Sequence, residues 1–423
     1  MFDRSRQGTL MALPHILRNK LRLPVVGAPL FIVSHPALVI AQCKAGIVGA
    51  FPALNARPIS QLDEWLHEIT EALAAHDRAH PERPAAPFAV NQIVHKSNTR
   101  LEEDIALTVK WKAPIVITSL GAREDVNAAV HGYGGLTLHD IINNRFAHKA
   151  IEKGADGLIA VAAGAGGHAG STSPFALVQD IRAWFDGPLL LSGAIATGRA
   201  VLAAQVMGAD LAYIGSAFVA TPEARAIEDY KQAIVAGDAS DIIGSTYFTG
   251  VFGNYLKPSI VRSGLDPESL PERDAKAMSF ASASSSSSEA EAWRDIWGSG
   301  QGIGAVKSVQ PVAELVARLE REYAEAKRAV KIRRPAAVAT VEIIDRLFVK
   351  PVEIVENGVA RKVGTLEAIL MRLWAAELSG SKRAGKVRLQ FQELVEDDKE
   401  REIIIEETLA KNMTDWPGRT THG

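Results

Sequence analysis

The 423-residue sequence has one cysteine, Cys43, so no internal disulfide can form and the chain fits a reducing compartment. Cys43 lies in the apolar segment Ala37 to Ala45 and reads as a small core residue. No charge of one sign dominates. Lys+Arg total 47 against 49 Asp+Glu, a formal charge of −2, which removes the global basic field that a nucleic acid or an anionic membrane requires. Long hydrophobic runs are missing too: no window approaches about 18 uncharged apolar residues, so no spanning helix is expected. The opening MFDRSRQGTLMALPHILRNKLRLPVV meets charges before any apolar core of signal-peptide length. These absences point to a cytoplasmic protein with a small-molecule partner, no nucleic acid and no membrane. Nothing in them fixes an oligomeric state, and no metal site is read from the sequence.

What is present is ample core material, 47% hydrophobic with 23% charged residues. Between Leu23 and Ala220, short apolar runs alternate with longer amphipathic segments of helical period, the form of a parallel sheet built from βα units. The runs are LPVVGAPLF, GIVGAFPA, PFAVNQIV, PIVITSLG, GLTLHDI, GLIAVAA, PLLLSGAI and LAYIGSAFVA. Eight units favour a closed (β/α)8 barrel over an open doubly wound sheet. A dinucleotide-binding Rossmann unit fails on position, since no G-x-G-x-x-G follows the first run. One enzyme domain over 1–330 is expected, interrupted by the serine-rich, low-complexity stretch 279–289, with KIRRP marking the boundary to a small domain over 335–423.

In a barrel the site is built from the loops that follow the strands. The sixth run leads into Ala163-Gly164-Ala165-Gly166-Gly167-His168-Ala169-Gly170, where glycines let backbone approach a ligand and His168 is the one ionisable group. The seventh ends Ser192-Gly193-Ala194-Ile195-Ala196-Thr197-Gly198, before a helix whose N-terminus is expected to face an anion. The eighth ends Ile214-Gly215-Ser216-Ala217-Phe218. Each cluster alone also reads as a tight turn; three in succession favour a phosphorylated cofactor. His139, in Leu138-His139-Asp140 after the fifth run, either contacts substrate or is tied to Asp140.

The set Gly27-Ala28-Pro29-Leu30, Val90-Asn91, AGGHAG, LSGAIATG and YIGSAFVATPEA, with WGSGQGIGAV further on, resembles the nitronate monooxygenases over about Leu21 to Arg328. The resemblance implies a flavin enzyme that binds FMN and oxidises alkyl nitronates or nitroalkanes with O2 to carbonyl compounds and nitrite. It implies a flavin ring against Ala28, Pro29, Leu30 and Asn91, and a phosphate on Gly193, Gly215 and Ser216, with Gly167, Gly170, Ser192 and Phe218 nearby. His168 matches the family's active-site histidine, as base or as hydrogen-bond donor to the nitro group. Gly164 stands where members that oxidise nitronates commonly carry Glu, and Ile-Gly-Ser replaces the more frequent Met-Gly-Thr. Other FMN barrels, NAD(P)H:quinone and enoyl-thioester reductases, share most of these residues. A degenerate barrel whose C-terminal module confers a binding role is the alternative of another class.

Past about Pro335, Val352 to Val363 alternates around Glu356-Asn357-Gly358, a turn signal, and an amphipathic helix begins near Thr365. A hairpin followed by helices is expected, resembling a small bacterial domain of unknown function with the pattern E-N-G-x-x-R-K. Arg361, Lys362, Lys382, Arg383 and Lys386 are followed by the acidic EDDKERE, so they read as a solvated face.

Overall fold

The computed structural model describes residues 13–272, 294–332, 351–356 and 359–395. The serine-rich stretch, the Asn357-Gly358 turn, Arg333 to Pro335 of the boundary and EDDKERE lie outside the described residues. The chain divides into two compact units, 1–329 and 330–423.

In the first unit the strands are β1 (Val25–Gly27), β2 (Gly49–Pro52), β3 (Phe88–Ile93), β4 (Ile115–Ser119), β5 (Leu136–Ile141), β6 (Gly157–Val161), the two-residue β7 (Gly167–His168), β8 (Leu189–Ser192), β9 (Leu211–Ile214), β10 (Ile242–Ser245) and β11 (Gly253–Leu256). Eight of them form one parallel sheet in the order β1-β9-β8-β6-β5-β4-β3-β2. A parallel bridge between Val26 and Val48 joins its first and last strands, with Gly27 N–H donating to Val48 O at 2.8 Å. The expected (β/α)8 barrel is therefore what forms.

The helices are α1 (Pro36–Ala45), α2 (Ser60–Ala79), α3 (Leu101–Lys110), α4 (Glu124–His131), α5 (Asn144–Glu152), α6 (Pro174–Arg182), α7 (Gly198–Met207), the one-turn α8 (Ser216–Val219), α9 (Glu228–Ala236), α10 (Lys257–Arg262) and α11 (Val312–Ile332). Local chemistry sets several ends. Pro36 opens α1 and Gly46, at φ 89, closes it. Thr197 caps α7 by accepting from Ala200 N–H, and Gly208 at φ 115 ends it. Among the described residues no helix is long and apolar enough to cross a membrane.

Strand alternation sorts side chains into two cores. Val26, Val48, Ala50, Ala89, Ile115, Ile117, Leu136, Leu138, Ile159, Leu190, Leu211 and Tyr213 form one buried cluster inside the barrel, joined by Leu17. Their neighbours face the helices: Val25, Ala212 and Ile214 pack with Leu38, Val201 and Leu319, and Leu158, Ala160, Leu189 and Leu191 pack with Leu177 and Ile181. Cys43 is wholly buried beside Phe51, Leu62 and Leu66, as its apolar setting implied. A second, antiparallel sheet, β10-β11-β7, stands on the strand ends: Gly253 pairs with His168 and Asn254 with Gly167.

In the second unit, β12 (Pro351–Glu356) and β13 (Val359–Gly364) pair antiparallel from Pro351–Gly364 to Glu356–Val359, followed by α12 (Thr365–Leu378) and α13 (Lys382–Val395). Gly380, at φ 92, lies between the helices, and Arg388 Nε donates to Glu377 Oε2 at 2.7 Å across them.

Candidate active site

The residue that follows the packed interior on each of five strands, two positions further on, or the last interior residue itself, reaches the mouth: Asn91, Ser119, Asp140, Val161 and Tyr213. All five line a cavity of about 290 Å³ at the C-terminal ends of the strands. They form its floor. A directed chain of hydrogen bonds crosses it: Asn91 Nδ2 donates to Ser119 Oγ at 2.7 Å, and Ser119 Oγ donates to Asp140 Oδ2 at 2.6 Å. Burial pushes the Asp140 carboxyl up to about 6, against the opposing pull of its bonds from Ser119 and the Leu120 backbone N–H. Tyr213 is raised well above the usual tyrosine range by burial and then by the charge of Asp140.

The wall consists of loops held together by hydrogen bonds to main-chain atoms. Ala194 N–H and Gln301 N–H both donate to Gly164 O, at 3.2 and 2.9 Å. Gly300 N–H donates to Ser216 Oγ at 2.9 Å, and Asn254 Nδ2 donates to Ala165 O at 2.6 Å. The glycines make this possible. A Cβ on Gly300 would stand 2.6 Å from Gly164 O, and one on Gly166 2.7 Å from Gly300 N.

His168 projects from this wall into the cavity. Its Nε2 lies 3.0 Å from Thr249 Oγ1, whose hydroxyl donates to Val251 O at 3.1 Å. Burial pushes the imidazole down to about 4, which keeps it neutral at physiological pH.

Ten of the residues singled out from the sequence come together on this cavity: Ala28, Pro29, Leu30, Asn91, Gly167, His168, Ser192, Gly193, Gly215 and Ser216. Three are placed elsewhere. His139 alternates with Leu138 and Asp140 and so faces away from the floor, with Nδ1 2.6 Å from Thr118 Oγ1; burial first, then the charge of Lys149, lowers it to about 4. Phe218 is turned by α8 into the core with Leu38 and Trp297. Gly170 closes its loop on β6, donating to Val161 O at 3.2 Å, where a Cβ would come within 2.6 Å of that oxygen. The anion expected at the N-terminus of α7 belongs to the chain itself: Gly198 N–H donates to Glu322 Oε2 at 2.7 Å, and Arg318 pairs with the same carboxylate.

Sequence reasoning named Asp140 only as a partner for His139 and did not single out Ser119, although counting by twos from Leu136 and Leu138 places Asp140 on the inward face. It also passed over Arg225 and Arg294, which line the cavity. No local signal marks Arg294, which distant chain brings to the mouth, whereas Arg225 directly follows the segment after β9.

A closed eight-stranded parallel barrel whose cavity lies at the strand ends, floored by a carboxyl relay and walled by glycine loops around one imidazole, has the build of a barrel enzyme. The family profile described as nitronate monooxygenase matches residues 16–322. A nitronate monooxygenase of Paraburkholderia phytofirmans is 28% identical over 338 residues, covering 71% of this chain and 92% of that protein. Among solved structures, a nitroalkane oxidase from Streptomyces ansochromogenes superposes with a TM-score of 0.61 at 22% identity, covering 74% of this chain and 99% of that one. FabK from Thermotoga maritima superposes with 0.58 at 20% identity, covering 75% and 96%. At these identities the two structures speak for the fold alone. The chain belongs to the nitronate monooxygenase family, and it is an oxidoreductase of a kind that works with flavin.

Proposed function

We propose that this protein binds FMN at the barrel mouth and uses it to oxidise alkyl nitronates and nitroalkanes with O2, giving carbonyl compounds and nitrite. The observation that carries this reading is His168: a neutral imidazole on the cavity wall, held by Thr249, beside the glycine-lined ends of β8 and β9.

The residues fit the cofactor. Gly193 holds φ 143 with Ala163 O 2.8 Å from where its Cβ would be, and a Cβ on Gly215 would enter the gap toward Leu30 and Ala28, 3.3 and 3.6 Å away. Those two backbones, with the hydroxyls of Ser192 and Ser216, make a cradle for a phosphate. Ala28, Pro29, Leu30 and Asn91 would receive the ring, with Gly167 beside His168. Bound FMN supplies the electron acceptance and the reaction with O2. The chain supplies the rest. His168, unprotonated above about pH 4, takes the α-proton from a neutral nitroalkane. Arg225 and Arg294 on the same cavity favour the resulting anion over its neutral parent.

The test uses two forms of one substrate with the variant His168→Asn. On the neutral nitroalkane, kcat/KM should fall about 10²–10⁴-fold, the usual weight of a general base. On the preformed nitronate, whose proton is already gone, the loss should be far smaller. Equal and severe losses on both, with flavin retained, would assign His168 to binding instead. A wild-type chain without flavin, or one that oxidises NAD(P)H faster with a quinone or enoyl thioester than it oxidises any nitronate, would refute the reading.

A further inference from the structure

Both hydrogen bonds of the Asn91 side chain run through Nδ2, one to Ser119 Oγ at 2.7 Å and one to the Ile117 carbonyl oxygen at 3.1 Å. A carbonyl oxygen only accepts, so the atom beside it has to be the amide nitrogen, and the orientation of the amide follows. Ser119 Oγ, having accepted from Asn91, directs its own proton to Asp140 Oδ2. Asp140 receives a second bond from the Leu120 backbone N–H. At that point β4 ends in a kink: Leu120 holds φ 61 and Gly121 φ 150, conformations that a residue like leucine adopts only where its surroundings enforce them. A strained turn, a serine and a carboxyl thus converge behind one amide on the cavity floor.

We propose that Asp140 is a positioning residue of the active site: acting through Ser119, its carboxylate fixes the Asn91 amide so that Oδ1, a pure acceptor, is the atom offered to a hydrogen-bond donor of the bound flavin. This rests on the reading above that the flavin ring lies against Asn91.

The relay is sensitive to charge. Asp140 is faced by Ser119 and the Leu120 amide from β4 and by the Tyr213 phenol from β9, while His139 on its own strand points the other way. The other ionisable groups on the cavity are His168, Tyr230, Arg225 and Arg294. Burial holds His168 near 4 and pushes Tyr230 up to about 12. Asp140, at about 6, is the lining group whose charge changes between roughly pH 5 and pH 7.5. Protonation makes it a poorer acceptor from Ser119, so acid should loosen Asn91 and weaken flavin binding.

The experiment titrates FMN into flavin-free full-length protein, reading flavin fluorescence and absorbance at about pH 5 and pH 7.5, for wild type, Asp140→Asn and Ser119→Ala. The variants should bind FMN about tenfold more weakly at pH 7.5, near the weight of one hydrogen bond to a charged group. They should also show a smaller ratio of affinities between the two pH values than wild type. The FMN phosphate titrates in the same range in every protein, so the difference in ratio is the quantity read. Should Asp140→Asn fail to fold, Ser119→Ala decides, because it leaves the carboxyl in place and severs only its link to Asn91. Equal affinities and equal ratios in wild type and Ser119→Ala overturn the relay alone. Failure of the wild-type chain to take up FMN overturns the functional reading, and the relay with it.

Discussion

The floor and the wall of the cavity are made by different physics. Floor residues sit on strands, where the ladder fixes each position and alternation fixes each direction; Asn91, Ser119, Asp140 and Tyr213 are held by register. Wall residues sit on loops, where position comes from main chains that touch each other, as where Ala194 and Gln301 both donate to Gly164 O. A change on the floor alters which polar atoms face the ligand and leaves the barrel standing. A change on the wall alters the shape of the cavity itself.

The largest effect should therefore come from the wall. Gly193→Leu puts a branched side chain at φ 143 and against Ala163 O, in the cradle proposed above for the FMN phosphate. The variant should purify without FMN; full flavin content by absorbance would remove Gly193 from the cradle. Gly300→Ala is the gentler form of the same break. Its single methyl meets Gly164 O at 2.6 Å and Gly166 N at 3.0 Å, main-chain atoms that cannot swing aside. Overpacking of this kind costs about 1–3 kcal/mol, so the melting temperature should drop by several degrees, with partial loss of flavin. An unchanged melt would show that the 298–302 segment is not seated by backbone contact.

The same division explains what could be read in advance. The eight strands announce themselves as apolar runs because parallel strands covered on both faces carry hydrophobic residues at nearly every position, as the uniformly buried Ile115–Ser119 does. The glycine clusters after β6, β8 and β9 were legible too, since few other reasons put so many glycines behind strands. Within β5 the sequence leaves His139 between a substrate contact and a tie to Asp140; alternation from Leu136 and Leu138 turns Asp140 to the cavity, while His139 meets Thr118 instead. Other features left no trace. β7 is two residues long and exists because Gly253 and Asn254, some 85 residues on, pair with it. The α7 N-terminus has the cap and glycine of an anion site, yet Glu322, 124 residues away, already occupies it. Phe218 is two residues from Ser216, but one turn of helix separates cavity from core.

The smallest effect on catalysis should come from His139, which belongs to neither surface. His139→Gln keeps a polar partner for Thr118 and touches nothing on the cavity, so kcat/KM for nitronate should stay within about twofold of wild type, a change too small for the loss of a transition-state contact. What should change is the dependence of stability on pH. Burial holds the folded pKa of His139 near 4, below the 6.5 of an exposed imidazole. Between those values the unfolded chain binds the proton that the folded chain refuses, so stability rises with pH through this window and is lost as pH falls from 6.5 toward 4. At pH 5 the deficit reaches up to about 2 kcal/mol, and glutamine, which does not titrate, removes it. Asp140 contributes with the opposite sign, since its folded pKa is raised, but it does so equally in both proteins. Melting curves of wild type and His139→Gln at pH 7.5 and pH 5 should therefore diverge, with the variant losing less on acidification. Parallel losses would mean that His139 is protonated without penalty in the folded chain. A large fall in turnover would put it back on the floor of the site, against the alternation that turns it away.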